Sequence, residues 1–511
     1  MKKYIFKTLL CSAMALPVLT SCELDQYPEG SIPSEQSWKT VADANNFYIG
    51  LLSNLRGVSG GAYSYVSECQ ADLFNAVRGA ASQNQVHEWT FTTSQFGGDN
   101  VWVGNYGMIT SANNILNNID KVAVESEEEQ MVINIIKGTA YFARAYAYNS
   151  MVTRYCVNYD AATASTALGL PLLKVVDVNA RPSRASLQDT YDYILSDIAA
   201  AEALLDGTGF DTSAPNAHTL AALKARVLLN MKNYDEAIVA ANEVMALYPL
   251  ADAASYAEMW MGDYELNDGL YETIYQPLQT VDERTGSMGT IFISYNPATE
   301  TNNPYYVPTQ GLMDLYEKSD VRKSAFFVKT KISPATGSES ATGYMFYKFP
   351  GNEALLKAGE TTGVTGNTFY NMHKPFRVAE MYLIAAEASL LKEAKDEAAA
   401  QTFLNALRTA RGASAVSSTG EQLVQDMKNE WAREFVGEGY RLDCLKRWNE
   451  GVKRMTPQTF SGANILIDNP TTSYTKLEVN PGDALYYKMI WEIPSQDMQA
   501  NSNLVGNWSS N

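Results

Sequence analysis

One short string in this chain prescribes a covalent reaction. Leu19-Thr20-Ser21-Cys22 places a branched residue and two small residues ahead of a cysteine, the pattern that lipoprotein signal peptidase cleaves and an acylating enzyme modifies. Its setting agrees. Lys2, Lys3 and Lys7 make a basic start, and Thr8 to Leu19 form an apolar stretch too short to span a bilayer, so residues 1–21 read as a secretory signal peptide. Cys22 is therefore expected to become the lipidated first residue. Several acyl chains, at about 0.8 kcal/mol per buried methylene, would make that anchor permanent.

The other residues capable of chemistry do not assemble a catalytic motif. There is no GxSxG elbow, no HExxH and no GxxxxGK[ST] loop. His87, His218 and His373 are expected to be surface or hydrogen-bonded histidines. Cys11 leaves with the signal and Cys22 is acylated; Cys69, Cys156 and Cys444 are widely separated, contain no CxxC pair and are expected to be buried free thiols. No metal site and no cofactor are expected. The densest charged cluster, Glu430, Arg433, Glu434, Glu438 and Arg441, has the spacing of helix neighbours and reads as ion pairs holding the C-terminal helix to its surroundings. A glycosidase needs only two carboxylates facing each other at about 5–10 Å, a separation the sequence does not measure. A surface glycoside hydrolase therefore stays open as an alternative, as does a protein-binding surface adhesin.

Binding without chemistry needs aromatic faces and hydrogen-bonding edges, and the chain has 31 Tyr and 8 Trp. Sugars present C–H faces that stack on rings and hydroxyls that bond to Asp, Asn, Gln and Arg. Two groups of residues have this mixture on loop-rich segments: Asp72, Asn75, Arg78 and Trp89; and Trp260, Tyr295, Asn296, Tyr305 and Tyr306. Core packing is the competing reading for each ring. Trp102 and Tyr106, ahead of Asn113 and Asn114, are assigned to the scaffold. Losing the three lysines of the signal takes the formal net charge from −18 to −21, which repels nucleic acid and anionic headgroups and favours a neutral ligand.

These residues must be positioned by helices. Ser126-Glu127-Glu128-Glu129 resembles a capping box, and Met131, Ile135, Phe142 and Tyr146 follow at helical spacing, so a long helix to about Tyr155 is expected with those four on one face. Leu187 to Leu205 forms a second, with Tyr191, Ile194, Ile198 and Leu205 inward and Gly207 and Gly209 stopping it. His218 to Pro249 reads as a helical hairpin of the tetratricopeptide kind, with Ala225 packed against Ala237, Ala241 and Val244. Arg377 to Lys392, Asp396 to Arg411 and Glu421 to Trp448 are further helices. Residues 57–105 and 250–371 are rich in Gly, Asn, Thr and Pro, with strands expected near Thr290 to Tyr295 and Tyr344 to Phe349. The expected organisation is a signal peptide (1–21), a lipidated tether (22–37) and a single body (38–511). In that body a helical scaffold at about 106–250 and 375–450 carries irregular insertions on its ligand face.

A series of segments in order resembles the SusD/RagB family. It runs from Gly138-Thr139-Ala140-Tyr141-Phe142-Ala143-Arg144-Ala145-Tyr146, through Gly169-Leu170-Pro171-Leu172 and Ala222-Leu223-Lys224-Ala225-Arg226-Val227, to Arg377-Val378-Ala379-Glu380-Met381-Tyr382 and Glu438-Gly439-Tyr440-Arg441-Leu442-Asp443. Glu23 and Asp25 after the lipid cysteine resemble the surface-export signals of Bacteroides-type lipoproteins. The resemblance implies a mainly α, tetratricopeptide-like scaffold with an inserted loop-rich lobe and short strands. It also implies a glycan- or nutrient-binding face on the outer membrane, and a TonB-dependent outer-membrane transporter of the SusC type as partner. Tyr155-Cys156 stands where the family commonly has Tyr-Gly, and Val157 to Ala167 looks like an extended loop.

Overall fold

A computed structural model of the chain describes residues 37–79, 84–92, 98–261, 272–285, 287–335, 339–467 and 473–508. The signal peptide, Cys22 and nearly all of the tether lie outside the described residues. The longer helices are α1 (Val41–Val58), α2 (Ala62–Gln70), α3 (Gly98–Asn118), α4 (Glu127–Tyr155), α5 (Leu187–Leu205), α6 (Ala217–Asn230), α7 (Tyr234–Met245), α8 (Val378–Leu391), α9 (Glu397–Ala410), α10 (Gly420–Phe435) and α11 (Arg441–Arg447). No helix among the described residues is long and apolar enough to cross a membrane.

Local chemistry starts and stops these helices where the sequence indicates. Ser126 Oγ accepts from Glu129 N at 3.2 Å, while the Glu129 carboxylate accepts from Glu125 N at 2.7 Å, one residue before the cap. Ser186 and Asp396 cap α5 and α9 in the same way, and Gly207 (φ 71°) follows α5. Consecutive helices then pack side by side: α3 on α4, α4 on α5, α6 on α7, and α8 against both α7 and α9. Small residues set the closest approaches. Ala225, Ala237 and Ala241 are fully buried, and a Cβ on Gly138 would lie 2.7 Å from Leu205 Cγ. Arg144 joins three helices from inside, its Nε and Nη2 donating to Asp197 at 2.8 and 2.6 Å and its Nη1 to Asn113 at 2.6 Å. Cys69, Cys156 and Cys444 are buried free thiols.

Three expectations about the scaffold are corrected. Met131 is 63% exposed and Ile135 half-buried; the inward residues at that end of α4 are Ile133, Ile136 and Ala140, on the side where Gly138 lets the helix lie close to Leu204 and Leu205 of α5. The segment from Glu421 to Trp448 is two helices, since the chain turns through Gly437 (φ 80°) and Gly439 (φ 92°) between α10 and α11. Residues 57–105 are less irregular than their glycines suggest. Gly60 and Gly104 are small because the His373 ring and the Tyr63 hydroxyl occupy the space a Cβ would fill, and α2 and α3 take up much of the segment.

The second lobe has its own apolar core around Phe74, Phe292, Phe326, Phe346 and Tyr306. Its largest sheet has the order β10 (Ser461–Gly462), β7 (Ala341–Phe346), β6 (Phe327–Ile332), β4 (Thr301–Asn302), β3 (Tyr295–Asn296), antiparallel except for the β4–β6 pair. The strand expected at Tyr344 to Phe349 thus begins earlier. Thr290 lies in a short helix, Gly289–Phe292, which ends before β3. Smaller two-stranded sheets pair β1 (Phe74–Ala76) with β5 (Tyr306–Pro308), β2 (Thr273–Tyr275) with β8 (Phe376–Arg377), and β9 (Val452–Lys453) with β11 (Glu478–Val479).

Charged side chains fasten this lobe to the scaffold. Glu434 accepts from Arg377 Nη1 at 2.7 Å, Arg322 Nη1 at 2.9 Å, Arg411 Nη2 at 3.0 Å and the Tyr256 hydroxyl at 3.0 Å. Glu272 takes Arg377 and Arg411, while Glu430 takes Arg322, Arg408 and Arg433. Burial by itself would raise the Glu434 carboxyl, but Arg411, Arg377 and Arg322 hold it well below the usual carboxylate range. The cluster singled out in the sequence consists of ion pairs, as expected.

Candidate functional site

The candidate ligand residues divide according to where strand pairing carries them. In the β1–β5 pair, Asn75 faces Val307 and Ala76 faces Tyr306 across the ladder. Both Asn75 and Tyr306 are fully buried and present nothing to a ligand. Asp72 is also withdrawn: Arg441 Nε and Nη2 donate to its two carboxylate oxygens at 2.7 and 2.8 Å, a bidentate pair between the lobe and α11. Trp89 is 1% exposed, its Nε1 donating to the Gln70 carbonyl at 3.0 Å and its own carbonyl accepting from Lys488. These four are corrected to core or framework residues. His87 lies buried behind the same ribbon, where burial and the adjacent Arg454 hold its pKa well below the usual value.

Beyond the end of β1 the chain comes to the surface. Val77 N donates to the Tyr305 carbonyl at 2.9 Å and Arg78 N to that of Ile465 at 2.8 Å, so Arg78 stands at the mouth of a ribbon formed by three distant segments. Its Nη2 meets Glu339 Oε2 at 2.6 Å, with side chains 43% and 58% exposed. The hairpin of β3 and β4 approaches the same place. Tyr305 N donates to the Ile291 carbonyl at 2.8 Å and Asn303 N to that of Ser294 at 2.7 Å, which folds Tyr295, Asn296 and Tyr305 together. All three are half-buried, and both rings rest partly on the lobe core. Ser294 (φ 37°), just before β3, and Glu300 (φ 51°), in the turn before β4, take left-handed conformations that ordinary side chains adopt at a cost.

Arg78, Tyr295, Asn296 and Tyr305 are thus the candidates that keep part of their surface at the rim of the lobe, and Arg78 pairs there with Glu339, which sequence reading missed. No local signal could have found it, since it lies 261 residues from its partner. Trp260 stands apart. It is 6% exposed and lines a separate cleft, against Phe349 and beneath Lys348, whose Nζ is 4.3 Å from the ring centroid. Among the described residues no group of three His, Cys, Asp or Glu could hold a metal ion.

Comparison with known proteins supplies the relationship that geometry alone does not name. Residues 231–509 match the SusD family, and residues 24–229 match a family described as starch-binding, associating with the outer membrane. The SusD-like protein P38 of Formosa agariphila is 24% identical over 486 residues, covering 87% of this chain and 91% of that protein. Among solved structures, a SusD superfamily protein from Bacteroides thetaiotaomicron superposes with a TM-score of 0.73 at 22% identity, over 92% of this chain and 99% of the other. A SusD-like carbohydrate binding protein from Bacteroides vulgatus does so with a TM-score of 0.73 at 19% identity, over 91% and 98%. With more than half its length matched by the first of these families, and the mainly helical fold shared with such structures, the chain belongs to the SusD family.

Proposed function

We propose that this protein is a cell-surface lipoprotein, anchored through Cys22 to the outer membrane, that captures oligosaccharide or polysaccharide and delivers it to a SusC-like TonB-dependent transporter without catalysing a reaction. The observation that supports the reading is that Tyr295, Asn296, Tyr305 and Arg78 stay half-exposed at the rim of the lobe, with Arg78 paired to Glu339. Rings for stacking beside a few hydrogen-bonding groups suit a sugar surface. Membership of the SusD family and the outer-membrane description of the N-terminal match support it. The carboxylates of the densest charged cluster are engaged by arginines, which favours binding over hydrolysis.

A glycan array on the purified protein, followed by calorimetry with the longest oligosaccharide that binds, tests this directly. Tyr295→Ala and Tyr305→Ala should each lose about 2 kcal/mol of binding, a ten- to thirty-fold weakening. Release of soluble sugar on incubation with the polysaccharide would replace the proposal with a hydrolase. An empty array alongside a tight protein partner would replace it with an adhesin.

A further inference from the structure

One cleft among the described residues contains none of the rim residues. It encloses about 1030 Å³, part of it open to solvent, between the scaffold helices α4 and α6, the turn at 437–440 and the side of the lobe bearing Trp260 and Phe349. Aromatic rings (Tyr63, Tyr146, Trp260, Phe349, Trp431 and Tyr440) line it together with charged groups.

Most of those charges are already matched. Arg226 holds Glu380 at 2.6 Å, Arg447 holds Glu387 at 2.8 Å, and Glu438 is shared by Lys348 at 2.6 Å and Arg377 at 2.7 Å. One cation is not: Lys374 makes no ion pair with a described residue; its Nζ donates to the Met372 carbonyl at 3.3 Å and lies 5.1 Å from the Trp260 ring centroid. Arg154 is held only loosely, its Nε 3.9 Å from Asp443 Oδ2. The same walls hold buried polar atoms without partners: Trp260 Nε1, Trp431 Nε1, Arg154 Nε and Asn149 Oδ1, on side chains that are all more than nine-tenths buried. Buried polar groups are ordinarily satisfied by protein, water or ligand. In a protein of formal charge −18, the cleft thus holds one cation without an ion pair and several N–H donors that the described residues do not answer.

We propose that this cleft is a second binding site, distinct from the glycan rim, for a small sugar acid, whose carboxylate pairs with Lys374 and whose hydroxylated ring lies against the tryptophans and Asn149. The carboxylate answers the one cation without an ion pair. Ring oxygens and hydroxyls accept from N–H donors, and a hydroxyl can donate to Asn149 Oδ1. A neutral sugar of the same shape would leave Lys374 unmatched. Burial, reinforced by Arg377 and Lys348 and opposed by Glu438, lowers the Lys374 pKa to about 7, and a carboxylate bound beside it would raise it again by favouring the ammonium.

Calorimetry on the mature protein with galacturonate, and with galactose as the neutral match, tests the site. Galacturonate should bind at least about tenfold more tightly than galactose. Lys374→Met should remove that preference and Lys374→Arg retain it, each variant melting like the parent. Tyr305→Ala should leave galacturonate binding unchanged, so failure at the rim and failure at the cleft are separable. Equal affinity for the two sugars, no binding of galacturonate, or unchanged binding in a folded Lys374→Met protein would each overturn the proposal.

Discussion

Glu434 carries a buried charge on which three arginines depend. It is fully buried at the junction of α10, β8, α9 and the lobe, where its carboxylate accepts from Arg322, Arg377 and Arg411 and from the Tyr256 hydroxyl. Glu434→Gln keeps the shape and removes the charge. Both carboxylate oxygens face arginine N–H groups, since Arg322 Nη1 and Arg411 Nε approach Oε2 while Arg377 Nη1 and Arg411 Nη2 approach Oε1. Whichever way the amide turns, its NH2 group points at donors and three guanidiniums lose part of their compensation. Breaking a buried ion pair by removing one partner costs about 3–5 kcal/mol, because the remaining charge stays buried. With a urea m-value of about 4 kcal/mol/M for a chain of this size, the unfolding midpoint should fall by about 1 M. Arg78→Ala, which breaks a half-exposed pair with Glu339, is the control and should change stability by no more than about 1 kcal/mol. An unfolding midpoint for Glu434→Gln equal to the parent's would refute the view that these ion pairs hold the lobe to the scaffold. Loss of glycan binding at unchanged stability would instead make Glu434 part of a site.

Other perturbations probe separate levels of the structure. Cys22→Ala should move the protein from the membrane fraction to the soluble one and abolish labelling by a palmitate analogue. Ala225→Leu and Ala237→Leu overpack fully buried positions in the α6–α7 hairpin and should each cost about 1–3 kcal/mol in chemical denaturation. Trp89→Ala should reduce stability by about 3–5 kcal/mol as a core truncation, so any binding defect it shows should track unfolding. Glu68 is buried and its pKa is raised by that burial, against the Gly439, Gly437 and Arg441 N–H groups, from 4.5 to about 7. Between those values the folded state keeps a proton that the unfolded state releases, so this residue makes stability fall as pH rises from 4.5 to 7; Glu68→Gln should flatten that slope in unfolding curves compared at pH 5 and pH 7.

The helices were legible from the sequence because the interactions that form them lie within a few residues. Ser186, the apolar spacing through Leu205 and Gly207 define α5 to the residue, and Asp396 does the same for the start of α9. The alanines of the α6–α7 hairpin and the arginine–glutamate cluster could be read in the same way, since residue size and helical neighbourhood are local properties. Whether a given ring or carboxylate faces solvent is not local. Asp72 is taken by Arg441, 369 residues away, and Tyr306 is buried by its pairing with Ala76, while Tyr305, next to Tyr306, and Arg78, two residues after Ala76, emerge at its edge. A composition rich in Tyr and Trp supplied more candidate rings than any binding face can use, and only the assembly of distant strands separated rim from core. The cleft beside Trp260 belongs wholly to that second level, because its walls come from segments between Val58 and Arg447 that nothing in the local sequence marks as neighbours.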